Sequence, residues 1–231
     1  MRVAGWLFLL GVQFGVAPSV SAQVSGRVSV ESQFRSRGYA IAEAHPVATA
    51  TIAYDDNSGV YANGMILLGT HEGDVGVAGY QAGLGYAARL SGSASIDVGV
   101  VQTEYARAAG GQLNIHYTEA YAGVTAHGIT ARAYYSPNYN VRGRHTVYAE
   151  VEGNFRPADK WNLNLHLGSL TYLSDPPRYT ARARYDWRAT VSRNIGRVEV
   201  YTSLSGRGPG GDYYARNKGR AVATFGVALG F

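Results

Sequence analysis

The feature that most constrains this chain is an alternation of apolar and polar residues with a period of two, renewed in segments of about ten residues from Gln23 to Phe231. It is cleanest in the last segment, where Ala221, Ala223, Phe225, Val227, Leu229 and Phe231 fall on one face. Arg220, Val222, Thr224, Gly226, Ala228 and Gly230 take the other. Such a pattern gives a strand one oily side and one polar side, whereas on a helix it would scatter the oily residues around the axis. A chain made of such strands has to pair them laterally, and exposed edges must be covered or removed by closure.

Cut at its turn signals, the chain gives twelve segments: Val24–Phe34, Pro46–Tyr54, Val60–Leu68, Val75–Ala87, Ala94–Tyr105, Leu113–Val124, Ile129–Ser136, His145–Phe155, Trp161–Tyr172, Tyr185–Ile195, Arg197–Ser205 and Arg220–Phe231. About ten residues is what a tilted strand needs to cross a bilayer, and an even number returns both chain ends to one side. Leu113–Val124 carries apolar residues in both parities, so its hairpin partner decides. With His127-Gly128 as a two-residue turn, Ala120 faces Tyr135, Ala122 faces Ala133 and Val124 faces Ala131. The same register gathers Glu119, Tyr121, Arg132 and Tyr134 on the polar side.

The oily faces carry no charge at mid-strand; Glu104, His116, His145 and Arg193 occur only near strand ends. That fits a lipid-facing band, where a central Arg or Lys costs about 2–4 kcal/mol. Aromatic residues cluster toward the ends: Tyr54, Tyr86, Phe155, Trp161 and Phe231 at one rim, Phe34, Tyr135, Tyr185 and Trp187 at the other. Two interfacial girdles are the expected reading. The connections on one side are tight (Asp55–Gly59, Arg89–Gly92, Ala126–Gly128, Arg156–Lys160, Asn194–Gly196). Most on the other are longer and arginine-bearing (Arg37–Ala44, Arg107–Gln112, Pro137–Arg144, Leu173–Arg184, Gly206–Gly219), Thr70–Asp74 being short. The fold expected is all-β: a transmembrane antiparallel up-and-down barrel of 12 strands.

Residues 1–22 read as a cleaved export signal, with Arg2, an apolar run from Trp6 to Val16 and a small-residue cleavage site at Val20-Ser21-Ala22. Residues 23–231 are then the barrel. With no cysteine, neither disulfides nor a thiolate metal site can staple it. The basic excess of five charges is almost all arginine and is spread along the chain, which argues against nucleic acid as a partner.

The chain resembles the TorF family of outer-membrane porins. The resemblance rests on Phe34-Arg35-Ser36-Arg37-Gly38, Gly59-Val60-Tyr61-Ala62, Glu119-Ala120-Tyr121-Ala122-Gly123-Val124, Tyr135-Ser136-Pro137-Asn138-Tyr139, Tyr185-Asp186-Trp187 and the terminal Phe231. Ala40-Ile41-Ala42-Glu43-Ala44 is less polar than its counterpart in relatives. The resemblance implies an outer-membrane barrel and carries no catalytic residues. A final phenylalanine also resembles the closing-strand signal read by the outer-membrane barrel assembly machinery, and it makes Phe231 the candidate assembly signal.

No enzyme, cofactor or metal is expected. The string Gly206-Arg207-Gly208-Pro209-Gly210-Gly211 is followed by no helical pattern and reads as an outer loop. His71-Glu72 lacks a second histidine, and His116 with Thr118 lacks an acidic partner. Glu119, Arg132, Glu150, Glu152, Asp186 and Arg188 point into the lumen, as selectivity groups or as a structural salt-bridge network. Arg142, Arg144, Arg178, Arg182, Arg184, Arg207, Arg216 and Lys218 form a basic outer rim suited to lipopolysaccharide phosphates or anionic solutes. Two functions follow: a narrow passive channel for small hydrophilic solutes, or a closed-lumen structural or binding barrel. The lumen is expected to hold Glu31, Asp97, Glu119, Glu150, Glu152, Asp186 and Glu199 against Arg27, Arg35, Arg132 and Arg188, an acidic excess that favours cations weakly.

Overall fold

The computed structural model describes residues 23–41, 46–71, 74–105, 115–178, 180–209 and 221–231. The expected export signal, and Glu43, Glu72, Arg107, Arg216 and Lys218, lie outside the described residues.

The period-two segments become strands. They are β1 (Gln23–Glu31), a short hairpin β2 (Arg35–Ser36) and β3 (Tyr39–Ala40), then β4 (Val47–Asp55), β5 (Val60–His71), β6 (Asp74–Arg89), β7 (Ala94–Tyr105), β8 (Ile115–Ala126), β9 (Ile129–Ser136), β10 (Thr146–Ala158), β11 (Trp161–Tyr172), β12 (Ala183–Ile195), β13 (Val198–Gly208) and β14 (Val222–Gly230). Twelve of them, all but β2 and β3, close into one antiparallel barrel in which each strand pairs with its neighbours in sequence and β1 meets β14. Closure satisfies every strand edge, which a non-polar surrounding requires. The seam is short: it runs from Arg27↔Gly230 to Glu31↔Gly226, and Phe231 extends it by exchanging backbone hydrogen bonds with Gly26 at 2.8 and 2.9 Å.

The β8–β9 register is the expected one, with Ala120↔Tyr135, Ala122↔Ala133 and Val124↔Ala131. His127 and Gly128 both sit at positive φ, 52° and 80°, the two-residue turn that matches strand twist. At the β4–β5 turn the Ser58 amide donates to Asp56 Oδ1 at 2.8 Å. Hydrogen bonds from the Ser58 hydroxyl and amide hold the Asp56 carboxyl below its ordinary range.

Outward positions are apolar and exposed, among them Val28, Ile52, Leu84, Val98, Val151, Leu165, Val191, Leu204 and Phe225. Tyr54, Tyr86, Phe155, Trp161 and Phe231 are exposed at the end with the short turns (the turn end), and Tyr135 and Tyr185 at the other (the loop end). Phe34 is not part of a girdle. β1 stops at Glu31, and the chain bends inward so that Phe34 is 4% exposed and its ring lies 6.1 Å from Tyr105 inside the barrel.

Candidate functional site: the lumen

Inward residues divide the lumen into two unlike halves. On β5 and β7–β10 they are large: Tyr61, Met65 and Leu67, then Tyr105, Tyr117, Tyr121, Tyr134 and Tyr148, all buried. On β1, β4 and β11–β14 they are mostly small and polar, including Ser29, Thr49, Thr51, Asn162, Asn164, Thr190, Ser192, Ser203, Ser205 and Thr224. Three of the lumen tyrosines lie over a facing residue that lacks a side chain. Tyr61 stands directly opposite Gly85, Tyr121 opposite Gly99 and Tyr201 opposite Gly226. A Cβ on those glycines would fall 2.8 Å from Tyr61 Cε2, 2.7 Å from Tyr121 Cζ and 2.7 Å from Tyr201 Cε2, inside van der Waals contact.

A belt of hydrogen-bonded clusters and close ionic contacts runs along the inner wall from β7 to β12. Arg132 Nε donates to Asp97 Oδ2 at 2.9 Å, and the Tyr61 hydroxyl donates to the same oxygen at 3.2 Å while bonding Tyr121. Tyr134 donates to Glu150 at 2.8 Å. Tyr148 bonds Asp186 at 3.2 Å and His166 Nε2 at 3.0 Å, and His166 Nε2 lies 2.8 Å from Asp186 Oδ1. His166 Nδ1 is 3.3 Å from Glu152, which also accepts from Arg188 at 3.3 Å. All six lumen candidates therefore face inward, and Arg132, Glu150, Glu152, Asp186 and Arg188 join this belt, with His166 at its centre. Glu119 stands apart from it, paired instead with Arg37.

That pairing corrects the sequence reading, which put Arg37 at the start of an outer loop. The β2–β3 hairpin turns into the barrel through Arg37 and Gly38, at φ 49° and 75°. Arg37 Nη1 and Nη2 hold the two Glu119 oxygens at 2.9 and 2.6 Å, and the guanidinium carbon lies 3.9 Å from the centroid of Tyr148, with Tyr117 and Tyr134 at 5.2 and 5.6 Å. Across the lumen, a Cβ on Gly38 would lie 2.8 Å from the Cβ atoms of both Asp186 and Arg207. The hairpin thus touches both walls.

The basic rim also needs correcting. Arg142, Arg178 and Arg182 are exposed and Arg144 half-buried at the loop end, with Arg182 3.6 Å from Asp175. Arg184 instead turns inward, donating to the Tyr172 hydroxyl at 2.8 Å, and Arg207 is buried. Their guanidinium groups flank the Tyr39 ring at 5.0 and 4.6 Å, because inward parity on β12 and β13 continues beyond the expected strand ends. Among the described residues expected in or now found in the lumen, the acidic excess disappears with these three additions: Arg27, Arg35, Arg37, Arg132, Arg184, Arg188 and Arg207 match Glu31, Asp97, Glu119, Glu150, Glu152, Asp186 and Glu199, seven against seven.

What remains open is a cavity of about 130 Å³ bounded by the small polar wall, the Arg27–Glu199 ion pair, Tyr201 and Phe34. A second cavity, of about 100 Å³, lies beneath Arg37 among Tyr117, Glu119, Tyr148 and His166. Arg35, Arg188 and Ser205 border both. His116 and Thr118 are on the outward face, where Thr118 bonds Gln102 and Glu104 accepts from Tyr80 at 2.7 Å. Among the described residues no group of three or more His, Cys, Asp or Glu is arranged to hold a metal ion.

The family model described as "Bacterial protein of unknown function (Gcw_chp)" matches residues 16–204. The chain belongs to that family. It matches no curated protein sequence. Among solved structures, it is similar to the NanC porin at 10% identity and TM-score 0.60, over 90% of this chain and 99% of that one. The KdgM porin aligns at 12% identity and TM-score 0.55, again over 90% and 99%. A structure described as KdgM porin in complex with disordered oligogalacturonate gives 9% and 0.51, over 90% and 97%. At these identities the likeness is one of fold, and it agrees with the twelve-strand closed barrel.

Proposed function

We propose that the protein is an outer-membrane channel for small hydrophilic solutes, exported by a leader over residues 1–22 and closed in the membrane by its final strand. The observation that carries this reading is the cavity of about 130 Å³ walled by Ser, Thr and Asn side chains inside a barrel whose outer face is apolar and aromatic-girdled. A polar wall replaces part of a solute's hydration, while an apolar outer face belongs in lipid. Balanced lumen charge favours neither ion sign strongly, so uncharged or zwitterionic solutes suit the wall best. Likeness in fold to the NanC and KdgM porins, one of them described with an oligogalacturonate, supports a solute-passing role. On this reading Arg142, Arg144, Arg178 and Arg182 would contact lipopolysaccharide phosphates, and Phe231 would serve as the assembly signal.

A second reading, a closed structural barrel, is favoured by the hairpin that spans the lumen. Planar-bilayer recording separates them. The native barrel should show small, discrete conductance steps, and a variant with residues 34–41 replaced by a short Gly-Ser linker should show larger ones. Silence from both variants, with each folded, would establish the closed barrel.

A further inference from the structure

We infer that the β2–β3 hairpin is a removable plug, latched by Arg37 on Glu119, and that its withdrawal opens the lumen. The inference rests on the channel reading and adds its regulation. Three features of the hairpin support it.

The hairpin forms a two-stranded sheet of its own and shares no ladder with the barrel. Its backbone bonds are internal, Arg35↔Ala40, Ser36↔Tyr39 and the Ile41 amide to the Phe34 carbonyl at 3.0 Å. It can therefore leave as a unit without breaking any strand of the wall. An isolated two-stranded hairpin is marginally stable, so side chains must hold it in place.

Beside the burial of Phe34 and Ile41 and the Arg184 and Arg207 guanidiniums that flank Tyr39, the hairpin is held by a bidentate ion pair at the tip. Arg37 makes two parallel charge-assisted bonds to a carboxylate that is 1% exposed, and three tyrosine rings surround the guanidinium. Such bidentate pairs are both strong and directional. Arg37 sits at positive φ as the first residue of the hairpin's two-residue turn, which points its side chain at Glu119.

Its position is at the boundary between the two cavities. Arg35 borders both, Phe34 bounds the larger and Gly38 presses on Asp186 and Arg207. With the hairpin out, the wall from Tyr148 to Arg207 no longer has anything across it, and the two cavities join.

The chain has no cysteine, so one engineered pair tests this cleanly. The built Cβ on Gly38 lies 2.8 Å from Arg207 Cβ, and a shift of about 1 Å brings it to disulfide geometry. Gly38→Cys with Arg207→Cys should be silent in planar bilayers when oxidised and should conduct when reduced, the reduced double variant serving as its own reference. Glu119→Gln, which keeps an acceptor but removes the charge, should lengthen open time roughly tenfold or more. Unchanged current on oxidation, with the cross-link verified by mass, would overturn the plug, as would an unchanged open time in Glu119→Gln. If the linker variant conducts while either of these fails, only the plug is wrong. If the linker variant is silent, the channel reading itself has failed.

Discussion

Gly85→Ala is the sharpest test of how the filled half of the lumen is built. The new methyl would sit within 2.8 Å of Tyr61 Cε2 and closer still to the hydroxyl end of the ring, so the ring has to move. Tyr61 is 2% exposed and is held by Asp97 at 3.2 Å and by the Tyr121 hydroxyl, so it has little room. Overpacking of this kind costs about 1–3 kcal/mol. Loss of one or both hydroxyl bonds adds about 0.5–1.5 kcal/mol each, for a total of about 1.5–6 kcal/mol. In a Tyr61→Ala background the clash is gone, and replacing a strand glycine by alanine should instead stabilise by about 0.5–1 kcal/mol. The sign therefore reverses between backgrounds. Urea unfolding of the barrel refolded into lipid vesicles, followed by the fluorescence of Trp161 and Trp187, measures all four corners of the cycle. If Gly85→Ala is no more destabilising with Tyr61 than without it, glycine–tyrosine pairing is not what builds this wall.

Two further outcomes follow from the geometry. His127→Asn should stabilise by about 0.5–1 kcal/mol in the same urea assay, because asparagine tolerates the left-handed backbone that His127 occupies at φ 52°; a loss would refute the two-residue turn. Combining Glu150→Gln with Glu152→Gln leaves five lumen acids against seven bases and should shift the reversal potential toward anions. An unchanged potential in a folded barrel would remove both glutamates from the conduction path.

The wall of the barrel was legible in sequence because alternation and turn spacing act locally. Ala94–Tyr105, Ile129–Ser136 and Trp161–Tyr172 coincide with β7, β9 and β11 residue for residue, and the His127-Gly128 turn alone set the β8–β9 register. What fills the barrel was less legible. Phe34 shares the parity of Val24, Val28 and Val30, so alternation assigned it outward; the bend after Glu31 that reverses it depends on contacts with Tyr105, seventy-one positions away in the chain. Arg37-Gly38 is a turn pair, but the partner that draws the arginine side chain into the lumen, Glu119, is eighty-two residues distant. A signal was present nonetheless: Phe34, Ser36, Tyr39 and Ile41 bracket the Arg-Gly pair as a miniature hairpin would. Arg184 and Arg207 were misplaced for a simpler reason, since β12 begins two residues before, and β13 ends three residues after, the points where the oily face fades.

The seam between β1 and β14 has a consequence for motion. Every other pairing in the wall joins strands adjacent in the sequence, so closure alone must be made between the two ends of the chain, after the rest of the sheet exists. It is also a brief ladder, five registered pairs from Arg27↔Gly230 to Glu31↔Gly226 with Phe231 and Gly26 as its last clasp. A cylinder joined by one short zip breathes there first: amide hydrogens along β14 should exchange with solvent ahead of those on β10 and β11, and the clasp at Phe231 sets how often the zip parts.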